Sequence, residues 1–313
     1  MTAYIVRRLL AVLPVMAVVA LFVFFLLRFA PGDPAAIIAG EDATSEAIAA
    51  VRAKLGLDRP VAEQFVVWLW SLLQGDMGVS IFSNLPVTRL IAQRLEPTVA
   101  LTLSTLFVAV ALAVPIGVVA AWKARKLVDR LVMGFAVLGF AMPGFVLAYV
   151  LIYFFAVQWQ LLPVQGYQPM SAGLWPFAER LILPSVALGV TYMALIARIT
   201  RASMLEVLQQ DYIRTANAKG LATDRVLLLH ALKNASVPII TVIGIGIALL
   251  ISGVVITETV FNIPGLGRLT VDAVLKRDYP IVQGLILVFA AAKVLVNLII
   301  DISYAFLDPR IRY

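Results

Sequence analysis

Six stretches of this 313-residue chain are almost free of charge, and each is about long enough to cross a bilayer. They are residues 9–27, 97–122, 131–157, 181–197, 235–257 and 281–300, the fourth slightly short. A crossing helix needs ~20 apolar residues. In lipid, every backbone N–H and C=O must find its partner within the protein, so such runs fold as helices. The pattern predicts an all-α polytopic membrane protein with six transmembrane helices. Composition agrees: 62% of residues are hydrophobic and 14% are charged, where a soluble domain carries ~25% charged.

Charge sets the expected orientation. Arg7 and Arg8 precede the first run, and Lys123, Arg125, Lys126 and Arg130 crowd the loop after the second. The loop from Gln158 to Arg180 holds a single cation, Arg180. Under the positive-inside rule both termini are then cytoplasmic, residues 28–96 form a periplasmic region, and residues 200–234 form a cytoplasmic loop. The net charge of +7 marks inner loops rather than a nucleic-acid partner. A signal peptide is the competing reading of the first run. That run exceeds the ~7–15 residues of a signal core, and Arg28-Phe29-Ala30 offers no small-x-small cleavage site. It is expected to be a retained first span.

Finer expectations follow along the chain. Pro31-Gly-Asp-Pro34 forbids helix continuation. Ser45 is a cap for a helix through Ala47, Ile48, Val51 and Leu55 that ends near Gly56. Residues 62–73, with Phe65, Trp68 and Trp70, suit an interfacial helix and are too few to cross. Gln74 to Gly78 reads as a turn and 87–95 as a separate short helix. Pro143-Gly144 predicts a kink or an unwound point inside the third span. Gly244, Gly246 and Gly253 suit close helix packing in the fifth.

Several chemistries are excluded. There is no cysteine, and His230 is the only histidine, so thiolate nucleophiles, disulfides and imidazole-built metal sites are not expected. An intramembrane enzyme would need a cluster of catalytic groups at membrane depth. A secondary transporter would need ion-binding carboxylates or an internal repeat. No lysine follows a glycine, so there is no phosphate-cradling Gly-Lys loop, and any ATP-driven work needs another polypeptide. Lys293 is the one charged residue inside a span. Such residues face a cavity or a partner. The alternatives are snorkelling, or pairing with Asp301 bridged by Asn297. Glu258 closes the fifth span and is a candidate for an outer gate.

One polar stretch interrupts the apolar chain: Asp211-Tyr-Ile-Arg-Thr-Ala-Asn-Ala-Lys-Gly-Leu-Ala-Thr-Asp-Arg225, continued by His230-Ala-Leu-Lys-Asn234. Ala216 and Gly220 are one helical turn apart, where small residues admit another backbone. Gly220 can end a helix in the left-handed conformation, with Thr223 or Asp224 capping the next. The stretch reads as a docking surface; a plain helix-turn-helix linker is the alternative.

Arg214-Thr-Ala-Asn-Ala-Lys-Gly220 resembles the "EAA…G" loop of permeases of binding-protein-dependent ABC importers. Asp211 to Leu221, His230 to Ala235 and Pro238 resemble the dipeptide/oligopeptide branch. So do Pro31 to Pro34, Phe261-Asn-Ile-Pro-Gly-Leu-Gly-Arg268, Arg277-Asp-Tyr-Pro280 and Asp308-Pro-Arg310. The matches run the length of the chain; Ile37 to Leu57 looks closest to the glutathione permeases. Arg214 departs from the family's Glu, and Lys233 from a frequent Pro. The resemblance implies a type I ABC importer permease fold in a bacterial inner membrane. It implies a second homologous permease, two ATPase subunits that bind ATP and Mg, and a periplasmic or lipid-anchored substrate-binding protein. No cofactor or metal is expected in this chain. The cargo would be short peptides or glutathione, with nickel chelates as the alternative. Thr215, Ala216 and Gly220 carry over as ATPase-coupling positions; Asp224 and Arg225 are added as charged neighbours. Glu258, Lys293 and Asn297 are the candidates for the substrate path or gate.

Overall fold

The computed structural model describes residues 2–29, 34–39, 43–54 and 56–307; motif residues 31–33 and 308–310 lie outside these. The helices in order are α1 (Thr2–Phe29), α2 (Pro34–Ala39), α3 (Ser45–Lys54), α4 (Val61–Leu73), α5 (Val87–Trp122), α6 (Leu127–Ala141) and α7 (Gly144–Leu151). After them come α8 (Leu174–Leu208), α9 (Asp211–Ala218), α10 (Thr223–Arg225), α11 (Lys233–Val260), α12 (Leu266–Leu275) and α13 (Tyr279–Leu307). Two π-helical stretches, Ile152–Gln158 and Val226–Leu232, continue α7 and α10. Among the described residues the only strand-like pairing is one bridge, Val79 to Pro86.

Among the described residues five helical stretches are long and apolar enough to cross a membrane: four lie within α1, α5, α8 and α13, and one, Thr223–Ile251, runs from α10 through the π-helical stretch into α11. The expected third span is broken: α6 and α7 meet at 106°. The break lies where the sequence puts it. Met142 (ψ 127°) and Pro143 (ψ 132°) are extended, because proline drives the preceding residue out of the α region.

Two contacts with α8 bracket this broken pair. At the start of α6, the Asp129 carboxylate takes a bidentate ion pair from Arg201, with the Nη2–Oδ2 arm at 2.7 Å. Beyond α7, the Gln165 carbonyl accepts from Arg180 Nη1 at 2.7 Å. Arg180 and Arg201 are 21 residues apart on one helix, or about 31 Å at 1.5 Å per residue. That is about the thickness of the hydrocarbon core. The contacts of the chain from 129 to 165 are thus spaced along α8 as a crossing pair requires. The absence of cysteine makes this directly testable. In single variants Lys126→Cys and Ser171→Cys, an impermeant thiol reagent added outside intact cells should label only position 171. Labelling of both from one side would make the pair a re-entrant loop.

The described residues form two compact units, one of residues 96–268 with 295–307, the other of those within 2–95 with 269–294. In the first, α8 is the central element and buries Leu181, Leu188, Met193 and Ile196. Small residues set the helix spacing, as lipid-embedded packing requires. A Cβ on Gly117 would lie 2.6 Å from Thr200 Cβ. Gly139 faces Val190, Gly253 faces Leu188, and Gly244 faces Ile300. The packing role expected for the fifth-span glycines is what the structure shows at positions 244 and 253.

In the second unit, α4 packs on α1 through Phe24, Phe65 and Trp68, with Phe24–Phe65 ring centres 5.0 Å apart. Its other face leaves Val66, Trp70 and Leu73 exposed, the arrangement of an interfacial helix. Residues 78–87 form a tight hairpin clipped by Asp278: Ser80 Oγ donates to Asp278 Oδ2 at 2.5 Å, and Ile81 N to Oδ1 at 3.3 Å.

Three local expectations are corrected. Thr44, not Ser45, caps α3; its hydroxyl accepts from Ala47 N at 3.3 Å. The 87–95 helix and the second span are one helix, α5, which continues through Pro97 and Pro115. Membrane helices tolerate such prolines where neighbouring helices or Ser/Thr side chains satisfy the freed carbonyl groups. The fourth span is not short either, since α8 extends from Leu174 to Leu208 through Pro184.

Candidate functional site

The polar stretch folds as a corner at the Asp129–Arg201 end of α8. Asp211 to Ala218 makes two turns of helix, α9, whose apolar side is supplied by Ile213 and Ala216. Both are buried with Met204, Val226, Ala231 and Val118 in one hydrophobic cluster. Gly220 stops the helix at φ 77°. Leu221 N donates to Ala216 O at 3.3 Å and Gly220 N to Asn217 O at 2.9 Å, the paired bonds that close a helix around a left-handed residue. The chain then restarts as α10, continues as the π-helical stretch and joins α11.

The expected site residues divide. Thr215, Gly220, Asp224 and Arg225 are exposed, as are Ala218 and Lys219 beside them. Ala216 is not: it is 8% exposed and packs inward. Ala216 and Gly220 thus do not share an outward face, because the helix ends between them. Ala216 supports the corner and Gly220 shapes its surface. No atom lies within 4 Å of a Cβ built on Gly220, so the glycine serves the turn and leaves open space above it. Thr215 Oγ1 donates to Asp211 O at 3.0 Å. Arg214, at the position of the family's acid, pairs with Asp211 one turn back at 3.1 Å, with both side chains mostly exposed. A pair in that setting contributes only ~0–1 kcal/mol, so Arg214 keeps its charge available at the surface.

Glu258 lies at the far end of α11 and is fully buried. Thr98 Oγ1 donates to its Oε1 at 2.5 Å and Arg268 N to its Oε2 at 3.0 Å. The same hydroxyl accepts from Leu266 N at 2.7 Å. Gly265 and Gly267 let the loop close over this carboxylate; a Cβ on Gly267 would stand 2.6 Å from Val255 Cα. The motif Phe261 to Arg268 is thus a loop wrapped round a buried acid. In this conformation Glu258 presents nothing to an outer opening. Nearby, Gly166 N donates to Phe261 O at 2.9 Å, and Tyr167 hydroxyl donates to Glu96 Oε1 at 3.0 Å. Burial, then the Glu96 carboxylate, raise the Tyr167 pKa above its ordinary value, so the hydroxyl stays a donor.

Lys293 and Asn297 are exposed one turn apart on α13. Lys293 makes no ion pair with Asp301 or any other described residue. The pairing alternative therefore falls, and the side chain stays open to a cavity, a partner or an interface. The described residues hold no cluster of metal-binding side chains.

Sequence reasoning missed the Asp129–Arg201 pair and the Ser80–Asp278 clip. The first had a signal: Asp129 is the lone acid among the four cations of residues 123–130. The second lay inside the motif Arg277-Asp-Tyr-Pro280, but nothing local points to Ser80, 198 residues away.

Comparison with known proteins gives the family. Residues 113–313 match the family described as "Binding-protein-dependent transport system inner membrane component". Residues 1–102 match "Binding-prot-dependent transport system membrane comp, N-term". The chain is 53% identical over 313 residues to a probable peptide ABC transporter permease protein, y4tP, of Sinorhizobium fredii, covering 100% of both. It is 42% identical over 313 residues to the glutathione transport system permease protein GsiC of Escherichia coli, again covering 100% of both. Among solved structures it is similar to an inward-facing MetNI methionine ABC transporter chain, at TM-score 0.58 and 17% identity, over 70% of this chain and 96% of that one. That likeness is one of fold. By both family matches, the chain belongs to the binding-protein-dependent transport system inner membrane components.

Proposed function

We propose that this chain is a permease subunit of an ATP-driven importer for short peptides, glutathione among them, and that α9–α10 is its handle for the ATPase. The basic loop 123–130 and the α9–α10 corner then face the cytoplasm of a bacterial inner membrane. Residues 28–96 and the loop from Glu258 to Pro280 face a substrate-binding protein. A second permease completes the path. Lys293 and Asn297 on α13 are its proposed polar lining, with Lys293 opposite a peptide carboxylate. Catalysis belongs to the partner ATPases, which bind ATP and Mg; the permease only changes shape. The peptide cargo is supported by the peptide and glutathione permeases to which the chain is similar.

One observation carries the coupling role: a polar, small-residue surface (Thr215, Ala218, Lys219, Gly220) stands on a cluster of buried apolar side chains. A rigid base under an exposed corner transmits a push instead of absorbing it. Asp224 and Arg225 give that corner charges of both signs.

The geometry separates the turn from the docking. Asn tolerates the left-handed region, and Gly220 has free space about it. Gly220→Asn should therefore leave membrane insertion and thermal stability unchanged while adding bulk only to the outer surface. We expect co-purification of the ATPase subunits and peptide uptake to fall about tenfold, the scale of a 1–2 kcal/mol clash in a packed interface. Uptake equal to the parent's, with the variant folded, would remove α9–α10 from the coupling role.

A further inference from the structure

Between α6 and α8 lies a groove of ≈ 280 Å³, lined by Met133, Ala136, Phe140, Ala194, Leu195 and Arg198 among others. Its walls are apolar side chains with a single cation, Arg198. On α6 the lining runs from Met133 to Ala141, eight residues or about 12 Å of helix. The bend at Met142–Pro143 lies just beyond its inner end. Its mouth is near the Asp129–Arg201 pair, since Arg198 is one helical turn from Arg201 on α8.

The charges at this mouth are unbalanced. Residues 123–130 and 198–201 hold six cations, Lys123, Arg125, Lys126, Arg130, Arg198 and Arg201, and one acid, Asp129; the next acid along α8 is Glu206. Both Asp129 oxygens are occupied, by the Arg201 guanidinium and by Arg125 N at 2.8 Å. Arg201 is thereby neutralised. The exposed Arg198 guanidinium has no hydrogen bond or ion pair with any described residue. Trp122 is 51% exposed beside the loop, with Lys123 Nζ 5.3 Å from its ring centre. An aromatic ring with flanking cations is the usual side-chain pattern at the headgroup level.

An apolar slot within the spanning region, with an unpaired guanidinium at its mouth and further cations above, is complementary to one occupant. We propose that this groove binds an anionic phospholipid of the adjoining leaflet, with an acyl chain along α6 and α8 and the phosphate on Arg198. Guanidinium–phosphate pairing is strong and can be bidentate, and basic pockets between membrane helices suit acidic headgroups. The identity of the transported substrate plays no part in this; the proposed orientation only sets the leaflet as cytoplasmic. A lipid wedged there would brace α6 against α8 on one side of the break at Met142–Pro143.

The test is native mass spectrometry of the delipidated full chain, titrated with phosphatidylglycerol and with phosphatidylcholine of the same acyl chains. Phosphatidylglycerol should bind about tenfold more tightly at one site, the scale of one charge-assisted contact. Arg198→Gln should abolish that preference, while Lys126→Gln, which removes an equal charge from the loop, should leave most of it. Ala136→Phe, which fills the groove and keeps every charge, should lose both lipids at that site. Glycerol phosphate, an anionic head without chains, should not compete. Equal binding of the two lipids, an Arg198→Gln variant that keeps the preference, or competition by glycerol phosphate would each overturn the assignment. So would a cross-link from Ala136→Cys to a second permease subunit in the assembled transporter, since that subunit would then fill the groove.

Discussion

Gly265→Ala should be the most damaging single methyl that can be added to this protein. The new Cβ would fall inside the Glu258 carboxylate, with Oε2 at 2.5 Å. One of two things must give. If the loop opens, the packing of Phe261, Ile263 and Leu266, all nearly fully buried, is lost with it. If Glu258 is expelled, the Thr98 hydroxyl and Arg268 N–H lose their acceptor. Each stranded donor costs ~1–3 kcal/mol, and overpacking costs a similar amount. A total of about 3–5 kcal/mol compares with a typical net stability of 5–15. The expected result is a steep fall in the amount of chain accumulating in membranes and in its melting temperature in detergent. Glu258→Ala with Gly265→Ala should recover part of the loss, because the truncated side chain vacates the space. A Gly265→Ala variant that melts with the parent would contradict the buried-acid account of this loop.

The second large effect is expected at the opposite end of α8. Arg201→Ala leaves the buried Asp129 carboxylate with one backbone donor, Arg125 N. Breaking a buried pair by removing one partner costs ~3–5 kcal/mol. Arg201 is one quarter exposed, which places the estimate at the low end, about 2–3 kcal/mol. Arg201→Lys should recover only part, since an ammonium cannot hold both oxygens in the fork geometry. The informative variant is Asp129→Ala with Arg201→Ala. It removes the stranded charge and should melt higher than Arg201→Ala alone. Equal melting of the two would mean that the pair does not hold α6 on α8. Because Arg201 is one turn from Arg198, the stability measurement should accompany any lipid-binding measurement on these variants.

Both lesions lie at places that gave little warning from neighbouring residues. Asp129 and Arg201 are 72 residues apart, and Thr98 and Glu258 are 160 apart. Glu258 reads in the sequence as an acid at the end of a span, free to face an opening. In the fold it is the centre of a closed loop. Ala216 reads as part of an outward small-residue face, yet α9 turns it into the core. In each case the residue type was visible but its direction was not, since direction depends on which helix packs alongside.

What the sequence determined by itself was whatever has a local cause. The bilayer demands long uncharged runs, so the spans could be read as runs. Proline forces its predecessor out of the helix, so the break at Pro143 was visible, although its 106° angle was not. Glycine tolerates positive φ, so the end of α9 at Gly220 could be read from its type and place. The missing Gly-Lys pair excludes a phosphate-cradling Gly-Lys loop from this sequence. Tertiary packing settled which polar groups meet. It placed Arg201 on Asp129, closed the loop over Glu258, and left Arg198 and Lys293 without protein partners among the described residues. Those outcomes follow from helix packing, in which small residues such as Gly117, Gly139 and Gly253 set the distances. Packing of that kind is a property of pairs of surfaces, and no single stretch of chain contains it.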